Sequence, residues 1–454
     1  MFNEFKSKNF IFNWIYPRVY VLAAILLDSL LYLIFIKNIL NDINLSNINL
    51  IVLIFPWTIL SYIIGRYSDY DNNPLINFSN QMFKLIILYF FINILTIIFL
   101  RFFNTSNLNY VFTNLNRYYF FYSSISLILL LLINFIMFRK KNKQKIIFFI
   151  GSLKDYFVLK DTLLLKQENH LLHKIDINKL DTFYSKINSN VDKVLLIISK
   201  KYNISDLELD FLKNIKKENI EVIDLMTWLD KEYQLIPSNL LSDIELFTGK
   251  ININNSPKQI RLKRVGDIFI SGFLLVFLSP LILIAAIFIY LEDGSPIFYS
   301  QIRSGLNQKR IRIYKLRTMN KNAEKNGAQW SKKNDTRLTN CGMFLRKTRI
   351  DELPQLLSVI VGEMSLIGPR PERPQIEEDL KKVIPYYDYR YSIKPGLSGW
   401  AQVNYPYGAS IKDSKIKLSY DLYYIKNYSF FLDFLIFLKT IKLVLNAKGA
   451  IAKK

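Results

Sequence analysis

The chain has 454 residues, 51% of them apolar, with 60 Lys and Arg against 37 Asp and Glu for a formal net charge of +23. That length allows about three domains, and so large an apolar fraction excludes intrinsic disorder. One cysteine, Cys341, and two histidines, His170 and His173, exclude a disulfide scaffold and a zinc site of the Cys/His kind. The positive balance fits nucleic acid, anionic lipid headgroups or a phosphorylated substrate, and a bias toward Lys, Ile and Asn would also produce it, so the placement of the charges decides.

Apolar runs at 19–36, 48–64, 85–100 and 118–138 each approach the roughly 20 residues a helix needs to cross about 30 Å of hydrocarbon. They predict a four-helix transmembrane bundle over 1–143. The first run is long and lacks a small-residue cleavage site, unlike a cleaved signal peptide. Lys6, Lys8 and Arg18 precede the bundle and Arg139, Lys140, Lys141, Lys143 and Lys145 follow it, whereas the outside loops carry only Lys37, Arg101 and Arg117. The positive-inside rule then places both ends in the cytoplasm. Asp28, inside the first run, is either functional or buried against a packing partner.

Over 144–247 the long apolar runs stop. Short runs at 145–150, 193–198 and 220–223 read as buried strands separated by helical stretches such as 205–217, which predicts a Rossmann-like α/β domain with a parallel sheet. Its first turn, Gly151-Ser152, lacks the glycine pattern that lets a backbone approach a dinucleotide, so a structural or regulatory role is expected. His170 and His173 would share one helical face but have no third ligand near them, and they read as solvated polar residues.

Polar residues over 248–260 predict a linker, and a second unit follows over 261–454. It opens with an apolar stretch, 268–291, interrupted by Ser279-Pro280. Proline removes the backbone donor that would bond Val276, so a break is expected there. Both flanks are basic: Lys258, Arg261, Lys263 and Arg264 before, then Arg303, Lys309, Arg310, Arg312, Lys315 and Arg317 after. Two cationic flanks on one side of a membrane predict a re-entrant helix over 264–291 rather than a fifth span.

Beyond it the residues suit anion chemistry. Lys315-Leu316-Arg317 alternates, so a strand would point both cations one way. Arg346, Arg349 and Arg370 bracket the carboxylate pair Asp351-Glu352, an arrangement that fits a diphosphate substrate. Pro354 places a helix start near Asp351, where unpaired N–H groups favour an ionised carboxylate; Glu352 could hold a hard cation such as Mg²⁺. The same four residues, Asp351 to Pro354, also make an ordinary capped helix start. Gly368-Pro369-Arg370-Pro371 is a stiff turn that aims Arg370. Asp421 lies on a helical stretch with tyrosines, and 430–445 reads as an interface-lying or core helix.

These motifs resemble the bacterial sugar transferase family, the membrane-monotopic polyprenyl-phosphate phosphoglycosyl transferases. The likeness rests on Lys263-Arg264-Val265-Gly266-Asp267, Ser279-Pro280, Gln301 to Gly305, Tyr314 to Met319, Leu345 to Gln355, Met364 to Glu372 and Lys394-Pro395-Gly396. The bundle and α/β domain resemble its longer members. The resemblance implies transfer of a sugar 1-phosphate, first of all a hexose 1-phosphate, from a UDP-sugar to a polyprenyl phosphate such as undecaprenyl phosphate, with release of UMP. It further implies Asp351 as covalent nucleophile, Mg²⁺ at Asp351 and Glu352, and Lys315, Arg317, Arg346 and Arg370 as phosphate-binding residues with Asp421 lining the site. Ser279 and Pro280 would bend the re-entrant helix. The implied setting is the bacterial inner membrane, with the catalytic domain in the cytoplasm among membrane lipids, and the first membrane step of exopolysaccharide, capsule or O-antigen synthesis; no nucleic acid partner is expected, and the oligomeric state stays open, a homodimer through the spans and α/β unit being the favoured assembly. Gln308, Ile311, Thr318, Thr336 and Ser358 depart from the family pattern without removing a catalytic side chain.

Other readings are a membrane-anchored nucleotide-sugar dehydratase or epimerase, for which the glycine fingerprint and a Tyr-x-x-x-Lys pair are missing from the α/β stretch, and a non-catalytic scaffold of an export complex. A metal-dependent glycosyltransferase would have to use Asp69-Tyr70-Asp71.

Overall fold

The structure, a computed structural model, describes residues 19–40, 47–67, 81–91, 94, 122–133, 145–166, 170–175, 193–199, 212–213, 215, 220–243, 257–323, 335–405, 408 and 410–445. The chain divides into two compact units, Met1–Gln144 and Lys145–Lys454.

In the first unit, helices α1 (Val19–Leu40) and α2 (Asn47–Ile64) contain the first two predicted runs. Helical segments α3 (Gln81–Phe91) and α4 (Tyr122–Ile133) cover parts of the third and fourth, whose remainders lie outside the described residues. Leu26, Ile34, Phe83, Phe90 and Ile128 are exposed, while Asp28 is fully buried. Its carboxylate accepts from Arg66 at 3.0 Å, Tyr67 at 2.7 Å and Tyr122 at 2.9 Å, and from Ser126. Of the two expectations for Asp28, this geometry matches the packing one: a buried charge is tolerated where its partners come from two other segments, the end of α2 and α4, and deleting one partner of such a pair costs about 3–5 kcal/mol.

The second unit begins with a four-stranded, all-parallel sheet of β1 (Lys145–Ile150), β2 (Leu171–Lys174), β3 (Lys193–Ile198) and β4 (Glu221–Asp224), in the order β2-β1-β3-β4. Ile146, Phe148, Ile150 and Leu196 form its core with Ile175 and Ile215. Helix α5 (Leu153–Lys166) follows β1, and Asp155 in its first turn is buried and accepts from Ser199 at 2.5 Å, so a side chain of the protein supplies the negative charge that this helix end favours. The helix expected around the two histidines is instead the edge strand β2. His173 pairs with Phe148, and His170 lies just before the strand, so the two do not make the i, i+3 pair of a helical face.

The segment after β4 packs into the rest of the unit. Its Ile236 N–H donates to Ser419 at 2.8 Å, the Trp400 indole donates to the Gln234 carbonyl at 3.1 Å, and Lys426 pairs with Asp230 at 2.7 Å. Residues 229–236 therefore serve the later half of the unit, and the linker expected at 248–260 does not separate two independent bodies. Most of that linker lies outside the described residues, and helix α6 (Pro257–Asp293) already starts at Pro257, earlier than expected.

Helix α6 is 37 residues long and continues through Pro280. The Val276 carbonyl that proline leaves without a donor is taken by the Ser279 hydroxyl at 2.8 Å, which explains how the helix tolerates the proline. The N-terminal part docks through Arg264, whose guanidinium donates to Val359 and Ile360 carbonyls at 2.6 and 2.7 Å, and through Asp267, which accepts from Ser365 and Leu366. The C-terminal part docks through Ala285 and Ile289 against Leu316, Leu345 and Ile350. Between these anchors Phe273, Val276 and Phe277 are 67%, 76% and 69% exposed, so the middle of an apolar helix has no protein against it.

The remaining elements are a hairpin of β5 (Phe298–Ser304) and β6 (Arg310–Leu316), helix α7 (Asn340–Thr348), a 3₁₀ turn Ile350–Gln355 running into α8 (Leu356–Val361), and β7 (Ser365–Ile367) paired in parallel with β8 (Gly396–Ser398). Helices α9 (Pro374–Val383), α10 (Ile411–Lys426) and α11 (Phe430–Leu445) complete it. The last has Leu432 and Ile436 buried and Phe430 and Phe431 exposed, a one-sided helix as expected for 430–445.

Candidate active site

The hairpin sets the first wall. Tyr299, Gln301 and Arg303 of β5 pair with Lys315, Ile313 and Ile311 of β6, and paired residues in an antiparallel ladder share a face. Ile311 and Ile313 are buried, which turns the same face of the ladder, with Lys315 and Arg303, toward the interior. Strand β6 ends at Leu316, so the alternation that would put Arg317 beside Lys315 does not extend that far. Arg317 turns to the end of α6, donating to Asp293 and Gly294 carbonyls at 3.1 and 2.8 Å and pairing with the Asp293 carboxylate at 3.2 Å. A cation there stabilises the C-terminal carbonyls of the helix, and Arg317 is a helix clamp in this structure.

The second wall is the join between α7 and the 3₁₀ turn. Gly342 admits the backbone of Thr318, whose carbonyl oxygen would lie 2.0 Å from a Cβ at that position. This contact brings α7 against the strand end, and Arg346 Nε donates to the Thr318 hydroxyl at 2.9 Å. Arg349, left-handed at φ 61°, reverses the chain, and Asp351 and Glu352 follow in the first turn. The helix start predicted at Asp351 is thus present one residue earlier, as a 3₁₀ turn.

The two adjacent carboxylates have opposite surroundings. Glu352 Oε1 meets Lys315 Nζ at 2.7 Å and Arg370 Nη2 at 2.7 Å, and Oε2 lies 3.7 Å from Arg349. Burial works against its charge, but Arg370, Lys315 and Arg349 outweigh burial and hold its carboxyl well below the usual range. Asp351 is equally buried, yet its Oδ1 has no hydrogen-bond partner. Burial and then the Glu352 charge push its pKa up to about 6, against the pull of Lys315, Arg349 and Arg346. The helix-start argument anticipates the opposite direction, and desolvation wins. Burial also lowers Lys315 to about 8.

Asp421, on α10, does not reach this pair directly. It is 1% exposed and pairs with Arg390 at 3.0 Å, and Arg390 donates to the Arg370 carbonyl at 2.9 Å. Burial raises its pKa to about 6. Of the residues singled out in the sequence, the structure brings Lys315, Arg370, Asp351 and Glu352 together, with Arg346 alongside, and sets Asp421 one residue removed. Ser279 and Pro280 lie mid-helix in α6, and Asp69 to Asp71 lie outside the described residues. Sequence reasoning does not single out Arg303 as a site residue, since it appears only as a basic flank and inside the motif Gln301 to Gly305, nor Arg390, which lies in no motif, because their contacts depend on strand register and on a chain reversal far along the sequence.

Among the described residues no group of three or more His, Cys, Asp or Glu is placed to hold a metal ion. The free Asp351 oxygen offers one hard ligand, and the Glu352 oxygens are already engaged by cations. That donor set fits Mg²⁺ arriving on a diphosphate, since this ion commonly takes one or two carboxylates and completes its shell with phosphate and water.

Against the site runs an apolar cavity of about 610 Å³, lined by Leu281, Ile284 and Phe288 of α6 and Phe344, Leu345 and Ile350 of the second wall. Ile350, which lines it, immediately precedes Asp351 in the chain.

The profile of the family described as "Bacterial sugar transferase" matches residues 258–447. The chain is 42% identical over 217 residues to a UDP-N-acetylgalactosamine-undecaprenyl-phosphate N-acetylgalactosaminephosphotransferase of Aeromonas hydrophila, covering 45% of this chain and 51% of that protein. It is 34% identical over 206 residues to a UDP-glucose:undecaprenyl-phosphate glucose-1-phosphate transferase of Klebsiella pneumoniae, covering 45% of this chain and 43% of that protein. The matches thus span about half the length of these relatives. An exopolysaccharide production protein of Rhizobium leguminosarum bv. phaseoli is 37% identical over 186 residues, 40% of this chain and 93% of that shorter protein. A match over nearly the whole of such a relative, together with the profile match across the site, shows that this chain belongs to the bacterial sugar transferase family.

Proposed function

We propose that the chain transfers a sugar 1-phosphate, of the hexose or N-acetylhexosamine class, from a UDP-sugar to a polyprenyl phosphate and releases UMP. The observation that carries this reading is the asymmetric pair: a buried Asp351 with a free oxygen beside a Glu352 neutralised by three cations. The named activities of the Aeromonas and Klebsiella relatives support it. An Asp351 oxygen attacks the phosphorus that bears the sugar, the bond from that phosphorus to the bridging oxygen breaks, and UMP departs with the electron pair. A phosphate oxygen of the polyprenyl phosphate then attacks the same phosphorus, and Asp351 leaves as a carboxylate. Splitting one transfer in two lowers each barrier, and in this reading Lys315, Arg346 and Arg370 stabilise the phosphoryl oxygens. Bound Mg²⁺, held by Asp351 with Glu352 beside it, would add charge neutralisation on the diphosphate. The apolar cavity beside Ile350 suits the isoprenyl chain of the acceptor.

The reading places the first unit as four membrane spans, α6 as a re-entrant helix, and the site on the cytoplasmic face of a bacterial inner membrane. What supports it for α6 is that both ends dock on one body while the apolar middle is uncovered. Production of exopolysaccharide, capsule or O-antigen is the proposed setting, and a homodimer in the membrane belongs to the same proposal.

Asp351→Asn should abolish UMP release from UDP-N-acetylgalactosamine and UDP-glucose in membranes supplied with undecaprenyl phosphate, while Glu352→Gln retains a trace. Full activity in Asp351→Asn overturns the mechanism. In initial rates from about pH 5 to 9, kcat/KM for the UDP-sugar should rise through about 6, as Asp351 loses its proton, and fall above about 8, as Lys315 loses its own. A profile flat across both values would contradict these assignments. For topology, single cysteines at Gln259 and Ser300 in a Cys341→Ala chain should react with an impermeant thiol reagent in inverted vesicles and be protected in right-side-out ones, opposite to a cysteine at Asn109. Labelling of Ser300 together with Asn109 would make α6 a full span.

A further inference from the structure

The turn that carries Arg370 is held by its backbone oxygens. Gly396 N–H donates to the Pro369 carbonyl at 2.9 Å, Arg390 Nη2 to the Arg370 carbonyl at 2.9 Å, Arg303 Nη1 to the Pro371 carbonyl at 3.1 Å, and Ser304 N–H to the Glu372 carbonyl at 3.1 Å. Four consecutive acceptors are thus occupied by donors from three separate places: β5, β8 and the 3₁₀ turn Tyr387–Ser392. Pro369 and Pro371 fix φ on either side of Arg370. Gly396 is required because a Cβ there would lie 2.0 Å from the Gly368 nitrogen.

Two of these donors are guanidinium groups, that of Arg390 buried and that of Arg303 half-buried. Arg390 is 6% exposed, donates to Tyr387 at 2.5 Å, pairs with Asp421 and lies 5.1 Å from the Tyr387 ring centroid. Arg303 lies 3.6 Å from Glu372, next to the turn. Neither has an ion pair or hydrogen bond with Asp351 or Glu352 among the contacts above; each is held by an anion of its own, Asp421 or Glu372, and from there donates to a carbonyl of the turn. Arg370 spans the gap between them: its backbone is gripped by Arg390 and its side chain grips Glu352 at 2.7 Å.

We propose that Arg390 and Arg303 are positioning residues that act through Arg370, fixing its backbone so that its guanidinium faces Glu352 and the donor diphosphate. Asp421 belongs to the same device, as the anion that keeps Arg390 in place. This rests on the transferase reading above, in which Arg370 stabilises the phosphoryl group; a displacement of about 1 Å in such a group can cost on the order of 10²-fold in rate.

The test is a double-variant cycle in the full-length chain, reading steady-state UMP release from UDP-N-acetylgalactosamine with undecaprenyl phosphate supplied, and the melting temperature of each variant. Arg390→Gln should lower kcat/KM by on the order of 10²-fold, and Arg390→Lys should recover part of it. In an Arg370→Ala background, Arg390→Gln should cost less than about threefold more, because coupled residues are not additive. If Arg390→Gln fails to fold, Arg303→Lys takes its place in the same cycle. Losses that multiply in the double variant, or an Arg390→Gln protein as active as wild type, overturn the inference while leaving the reaction intact. An Arg370→Ala protein as active as wild type overturns the role of Arg370 itself, and the inference with it.

Discussion

The carboxylate of Glu352 gathers a lysine from a hairpin, an arginine from the proline-flanked turn and a second arginine from the helix reversal, all onto one side chain. Because those cations are committed to Glu352, its neighbour Asp351 is left buried with an open oxygen. Adjacent acids on one turn thereby acquire different characters, the glutamate held well below the usual carboxylate range by its cations and the aspartate pushed up to about 6 by burial. Environments that push paired titratable groups apart are how a fold assigns separate roles to chemically similar residues. Here the cations gather on the glutamate, and the aspartate keeps one oxygen without a hydrogen-bond partner.

That arrangement holds only if three distant elements stay in register. The hairpin is anchored by Arg317 at the end of α6, which ties the long apolar helix to the Lys315 strand. The Arg370 turn is held through its carbonyls, and Arg390 beneath it is paired with Asp421 on α10. The opposite face of α10 receives the segment after the parallel sheet, through Ser419 and Lys426. The α/β layer therefore touches the helix that sets Asp421, a physical route by which a domain without catalytic residues supports the site.

Much of this was legible in the sequence where a single residue type or local period carries the information. The runs at 145–150 and 193–198 are strands because buried parallel strands are apolar throughout, and Asp351-Glu352-Leu353-Pro354 marks a helical start because proline tolerates only the first turn. Long-range registry was not legible. Strand β2 is a four-residue edge of mixed polarity with no apolar run to announce it. Arg317 looked equivalent to Lys315 until the strand ended between them. Arg303 and Arg390 stood among the basic and aromatic residues with nothing in the chain order to show that both meet the Arg370 turn. The pKa of Asp351 was misjudged for a related reason: a helix start is local, whereas burial depends on the whole fold.

The central claim is that Asp351 becomes covalently linked to the sugar-bearing phosphate. The most direct measurement is intact-protein and peptide mass spectrometry after brief incubation with UDP-N-acetylgalactosamine or UDP-glucose in the absence of polyprenyl phosphate. The account predicts a gain of one sugar phosphate on the peptide containing Asp351, discharged when undecaprenyl phosphate is added and missing from Asp351→Asn. UMP release that begins only when the acceptor is present, with no adduct at any residue, would contradict it and point to direct transfer between the two substrates.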